Sequence, residues 1–186
     1  MAEAAGLKPT VMDIESYAAR AAISRLTEQM PNRAKGQVLA LFQIGSQVMH
    51  VSMLLDDQLI YEREQPFGGH QLTQEIVRTY GLSYEEAEVK KRNNDLPDGY
   101  QTEILEPFLE TAAQEVTRAI QFFFTSTPYT RVDQLFLAGG CAIIPGMVDT
   151  VANRTKLSAS VVSPFKGMQL SSNAVSYTHL TLPTKA

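Results

Sequence analysis

Glycine turns at the ends of apolar strands constrain this chain more than any other feature. Phe42-Gln43-Ile44-Gly45-Ser46 closes one apolar run, and Leu137-Ala138-Gly139-Gly140-Cys141-Ala142 closes another. Between them Phe67-Gly68-Gly69 opens a helical pattern. A residue without a Cβ lets the backbone come close to a ligand or to another stretch of backbone. Several such turns in one chain point to a nucleotide cleft, whereas one alone would point to nothing.

The bulk properties narrow the class. A chain of 186 residues, 44% apolar and 19% charged, is long enough for a real core and too apolar for a disordered segment. A net charge of −4 gives no broad field for nucleic acid or anionic lipid. Cys141 is the single cysteine, which excludes an internal disulfide and favours a reducing compartment. No apolar stretch reaches the length of a bilayer span, and Met1-Ala2-Glu3-Ala4-Ala5 lacks the basic start of a signal peptide. The expectation is a cytoplasmic protein, reaching a membrane only through partners.

The hydrophobic pattern predicts a short strand over 7–13, a helix over 15–30, and a polar break at 31–36. A meander follows: strands over 37–42, 48–55 and 59–64, turned at Gly45-Ser46 and at Asp56-Asp57. Helices are expected over 71–80, over 84–92 with Ser83 as N-cap, and over 102–125. A buried strand at 132–138, a helix beginning at Pro145, and a short strand at 159–162 complete the set. Three meandering strands, then helices and a lone strand, give a mixed α/β sheet.

Each candidate site residue has a plain structural reading beside the functional one. Gly45-Ser46 is either an ordinary hairpin turn or a set of donors for phosphate. Gly69 either packs a tight strand-to-helix joint or starts a helix whose N–H groups meet a phosphate. Glu88 and Lys91, spaced i, i+3, read as a solvated ion pair, with Lys90 as the competing lysine. Gly139-Gly140 serves strand-to-helix packing or close approach to a ligand. Cys141 reads as a small buried hydrophobe and His50 as a structural histidine. His70 is a helix-start residue or a phosphate contact. Gln121-Phe122-Phe123-Phe124 reads as core plus a contact between lobes, or as an exposed aromatic patch for a partner. The histidines and lone cysteine do not make a zinc site, and no Gly-x-Ser-x-Gly elbow occurs.

Five segments together resemble the PilM family of type IV pilus assembly proteins, which is actin-like and FtsA-related. They are Phe42-Gln-Ile-Gly-Ser, Arg63-Glu-Gln-Pro-Phe-Gly-Gly-His-Gln-Leu-Thr, Glu85-Glu-Ala-Glu, Gln121-Phe-Phe-Phe and Leu137-Ala-Gly-Gly-Cys-Ala-Ile-Ile-Pro-Gly. The resemblance runs from about Leu7 to Met168. It implies an actin-like, ribonuclease H-like α/β fold with two lobes around an ATP cleft. It further implies that the first lobe is mostly missing here and the second nearly complete. Residues 1–34 correspond to the end of the first lobe and 37–165 to the second, with a small insert at about 81–101. Residues 166–175 return towards the first lobe. Residues 176–186 read as a non-native tail.

The resemblance also assigns roles. Gly45, Ser46 and Gly69 become phosphate-binding, and Glu88, Lys91, Gly139, Gly140 and Ile144 nucleoside-binding. Actin-like proteins commonly carry an acid two positions before this glycine, where this chain has Gln43, so an indirect Mg²⁺ contact there lacks negative charge. The implied function is an ATP-binding cytoplasmic scaffold at the inner membrane, holding the N-terminal tail of PilN alongside other pilus proteins, with weak ATPase activity or none. An apolar face left by the missing lobe invites self-association. The alternatives are a phosphotransferase such as a sugar kinase, with Asp13 as the retained acid, or an FtsA-like filament former.

Overall fold

A computed structural model describes residue 6, residues 8–28 and residues 30–162, leaving the expected return segment and tail outside the described residues. Among the described residues, ten α-helices and β-strands run in chain order. They are α1 (Glu15–Thr27), β1 (Val38–Ile44), β2 (Met49–Leu55), β3 (Gln58–Gln65), α2 (Gly69–Tyr80), α3 (Tyr84–Asn93), α4 (Glu106–Ser126), β4 (Gln134–Ala138), α5 (Met147–Thr155) and β5 (Ala159–Val161). The strands form a mixed sheet of order β3-β2-β1-β4-β5. β1, β2 and β3 are antiparallel neighbours, while β4 runs parallel to β1 and β5 parallel to β4. A hairpin needs only a tight turn, but a parallel partner needs a long crossover. Here α2, α3 and α4 make the crossover from the meander to β4, and α5 makes the one to β5.

Strand alternation sorts the two faces. On β1, Val38, Ala40, Phe42 and Ile44 enter the larger core, whereas Leu39 and Leu41 enter the smaller. The larger core meets α2 through Leu72 and Ile76, α4 through Leu109, Val116 and Phe123, and α5 through Met147 and Val151. The smaller core meets α1 through Ile23, with Leu54 and Phe136 beside it. The result is three layers, with the sheet covered on both sides.

Local chemistry fixes several boundaries. The β2–β3 turn puts Asp56 and Asp57 both at positive φ, 48° and 62°, the pair of left-handed residues that a twisted two-residue hairpin needs. Asp56 also accepts from the Gly36 N–H at 2.7 Å, which ties the turn to the entry of β1. Ser83 caps α3 by a reciprocal box: its Oγ accepts from the Glu86 N–H, and Glu86 accepts from the Ser83 N–H at 2.9 Å. Those bonds hold the Glu86 carboxyl below the ordinary carboxylate range.

Three expectations shift. Residues 8–14 carry no strand. The long helix starts with a π-helical turn at Gln101–Leu105, and the regular α4 follows with Pro107 in its first turn. Pro145 precedes the cap Gly146 of α5 instead of opening the helix, because Gly146 takes the left-handed conformation at φ 85°. Otherwise elements and order match, with ends moved by up to three residues, the largest shift being α1, which stops at Thr27 and not at Met30.

Phe123 is fully buried between Tyr61, at 5.5 Å edge-on, and Tyr129, stacked at 5.7 Å. Phe123→Ala is expected to cost about 3–5 kcal/mol in urea unfolding. Ser83→Ala, which removes one cap acceptor, should cost about 1 kcal/mol by the same measurement.

Candidate functional site

β1 and β4 lie side by side and parallel, so their exits point the same way. The Gly45-Ser46 turn leaves β1 and the Gly139-Gly140 turn leaves β4. In open α/β sheets, ligands sit outside such paired strand ends, where successive connections diverge. A cleft of about 410 Å³ opens there, lined by Gln43, Gly45, Ser46, Gln47, Val48, His50 and Gly139. It therefore unites the predicted phosphate turn, the predicted nucleoside turn and Gln43.

The third glycine turn closes onto the first. The Gly69 N–H donates to the Gly45 carbonyl at 3.0 Å, and the His70 N–H donates to the Ser46 carbonyl at 2.7 Å. The first donors of α2 are thus used inside the fold. Gly69 serves the site by packing, since a Cβ there would lie 2.9 Å from Cys141 Sγ. Gly68, not singled out as a site residue, is the tighter position. Its φ of 179° is ordinary extended backbone, yet a Cβ would stand 2.4 Å from the Ser46 carbonyl oxygen. Gly139 has both constraints, with φ +86° and a Cβ position 2.5 Å from the Ile44 oxygen. Gly140 differs: a Cβ there meets nothing within 4 Å.

Donors remain for a ligand. Among the described residues, no acceptor is placed for the N–H groups of Ser46, Gln47, Gly139 or Gly140. Oriented backbone donors of this kind favour anions. No carboxylate lines the cleft among the described residues, and no cluster of metal-ligating side chains occurs among them. The Gln43 carbonyl therefore brings a dipole and no charge to its place at the rim.

Glu88 and Lys91 share one face of α3, as the spacing requires. Lys91 Nζ reaches Glu88 Oε1 at 2.5 Å and Thr73 Oγ1 at 2.6 Å, and Thr73 also donates to Glu88. Burial works against the Glu88 charge, yet the bonds from Lys91 and Thr73 outweigh it and hold the carboxyl below its ordinary range. The cluster pins α3 to α2. It stands near enough for both charges to bear on the Cys141 thiol, which burial pushes upward. Lys90 turns away to Asp95 at 3.1 Å, whereas Lys91 faces α2; neither Glu88 nor Lys91 is among the residues that line the cleft. Ile144 is half-buried against the larger core, just past the Gly139-Gly140 turn.

Other readings resolve plainly. Cys141 is buried, with Sγ 3.4 Å from the Gly45 oxygen. His70 Nδ1 pairs with Tyr84 Oη at 2.9 Å, tying α2 to α3. His50 pairs with Glu64 at 3.2 Å but also lines the cleft, a position that the strand pattern did not reveal. Asp13 accepts from the Ile14 N–H at 2.8 Å before α1 and is exposed. Among the described residues, no helix is long and apolar enough to cross a membrane.

The glycines can be separated by substitution. Gly68→Ala should lower the melting temperature by about 10 °C or more, because backbone must move. Gly140→Ala should shift it by less than about 2 °C, in a parallel thermal melt.

Similar proteins are known. A structure described as the PilM-PilN type IV pilus biogenesis complex matches with a TM-score of 0.75 and 21% identity, over 96% of this chain and 50% of that one. Ta0583, an archaeal actin homolog, matches with a TM-score of 0.59 and 16% identity, over 82% of this chain and 51% of that one. MreB 5 of Spiroplasma citri bound to AMPPNP matches with a TM-score of 0.56 and 13% identity, over 84% and 62%. The fold is actin-like, and the chain spans about half the length of the PilM structure it matches. The family described as type IV pilus assembly protein PilM matches residues 1–183. On that match, the chain belongs to the PilM family of type IV pilus assembly proteins.

Proposed function

We propose that this chain carries part of the ATP site of a pilus assembly scaffold, and that ATP acts there as a binding effector. The observation that carries the reading is the convergence of the Gly45-Ser46 and Gly139-Gly140 turns on one cleft, with backbone donors that have no acceptor among the described residues. Ser46 and Gln47 would hold phosphate oxygens. Gly140 gives open space for the sugar, and Ile144 is the apolar contact for the base. Glu88 and Lys91 would reach the ribose edge, at the expense of their bonds to Thr73.

Mg²⁺ fits the protein side poorly. Gln43 supplies no charge, so a metal would be held chiefly by the phosphates and by water. The same residue argues against rapid hydrolysis, which needs an activated water. Linkage needs no turnover: a nucleotide that prefers one lobe arrangement shifts the protein towards it. Binding of the PilN N-terminal tail, in the cytoplasm at the inner membrane, is the proposed output. The relative solved with PilN supports that partner. Val11 and Met12 are 85% and 99% exposed, an apolar surface that also suits contact with another protein or copy.

Calorimetric titration tests the cleft. MgATP and MgADP should bind with dissociation constants on the order of 100 µM. Gly140→Asp should weaken both by tenfold or more while leaving the melting temperature nearly unchanged, since the added carboxylate repels phosphate in otherwise open space. No heat up to millimolar nucleotide would overturn the nucleotide reading. A synthetic PilN tail peptide titrated with and without ATP then reads the linkage; equal affinities would remove ATP as an effector.

A further inference from the structure

One side chain of the cleft is still without a role. His50 stands on β2 opposite Gln43 of β1, and on its other flank opposite Glu64 of β3. Residues opposite one another on neighbouring strands share a face and lie within side-chain reach. Gln43 and His50 both line the cleft, whereas Glu64 does not. His50 Nδ1 lies 3.2 Å from Glu64 Oε1. An ionised carboxylate only accepts, so Nδ1 carries a proton and Nε2 is the ring atom left for a ligand. Among the described residues that line the cleft, His50 is the one side chain able to carry a positive charge. The anionic donors that a hard cation prefers are missing from the same lining: Gln43 is neutral, and no carboxylate stands with it among the described residues.

On the reading of this cleft as a nucleotide site, we propose that it takes phosphate without a divalent cation and that His50 supplies the positive charge. The lining offers phosphate a set of donors and offers a metal no charge. A ring set between a carboxylate and a phosphate holds both of its protons. It then donates from both nitrogens, once to Glu64 and once to a phosphate oxygen, and each bond is charge-assisted. The N–H groups of Ser46 and Gln47, which have no acceptor among the described residues, share the same anion. The neutral side chain at Gln43 acquires a reason: an acid opposite His50 would pair with the ring and repel the phosphate.

Calorimetric titration of ATP into the whole chain, once with Mg²⁺ and once in EDTA without divalent cations, tests this and needs no variant. ATP in EDTA should bind at least as tightly as with Mg²⁺. His50→Gln keeps a polar side chain but no charge, and should weaken ATP in EDTA by about fivefold or more. His50→Arg restores the charge and should stay within about twofold of the parent chain. Binding at least tenfold tighter with Mg²⁺ than in EDTA would overturn the proposal and leave the nucleotide site standing. Equal affinities of the parent chain and His50→Gln in EDTA would do the same. No heat with ATP in either condition would remove the nucleotide site, and the role of His50 with it.

Discussion

The backbone contact between two glycine turns is the constraint on which the rest of this structure depends. Carbonyls of Gly45 and Ser46 accept the first N–H groups of α2. That contact is possible only because Gly68 brings no Cβ between them, while Gly69 leaves room for the Cys141 sulfur beside it. It sets where α2 begins, hence where Leu72 and Ile76 enter the larger core and where Thr73 meets α3. It also consumes carbonyls at the β1 exit, while the Ser46 and Gln47 N–H groups of the same turn have no acceptor among the described residues. One packing device therefore decides the polarity of the cleft: the carbonyls face the fold and donors remain for an anion.

The sheet geometry explains why the site residues come from such distant stretches. Parallel pairing of β1 and β4 places Gln43 opposite Ala138, and so sets Gly45 near Gly139. Asp133 reinforces that register, accepting from the Val38 N–H at 2.7 Å while its own N–H donates to the Val38 carbonyl. These bonds bring two strand exits to one edge with their turns aligned. The charged pair on α3 is held to α2 through the Thr73 hydroxyl and stands outside the lining of the cleft.

Much of this was legible beforehand. Strand order in the meander followed from alternation and turns, and α4 followed from a single apolar stripe ending in Phe123. The glycine turns were legible as close-approach points because only glycine tolerates such neighbours. What the sequence hid were properties of distant pairs. Nothing local shows that the Gly69 N–H faces the Gly45 oxygen, so a donor for phosphate and a donor for packing look identical. Thr73 carries no signal of its own, although it joins Glu88 to Lys91. His50 alternates like any strand residue, and its place on the cleft rim depends on how β1 and β2 register. The absent strand before Asp13 illustrates the converse: a loosely alternating run forms no ladder without a partner strand.

The β1–β4 pairing has a consequence for how the protein is made. Val38 and Asp133 are 95 residues apart, and the whole crossover must be in place before they meet. Closing a loop of that length is entropically unfavourable until the core rewards it, so the pairing belongs to the late part of folding. The meander and the helices can form from nearby contacts, but the cleft between their ends cannot. During synthesis, the turn at Ser46 has no counterpart from Gly139 until β4 has been made. A ligand that needs both turns can recognise only the finished sheet, and its binding energy adds to the stability of that state alone.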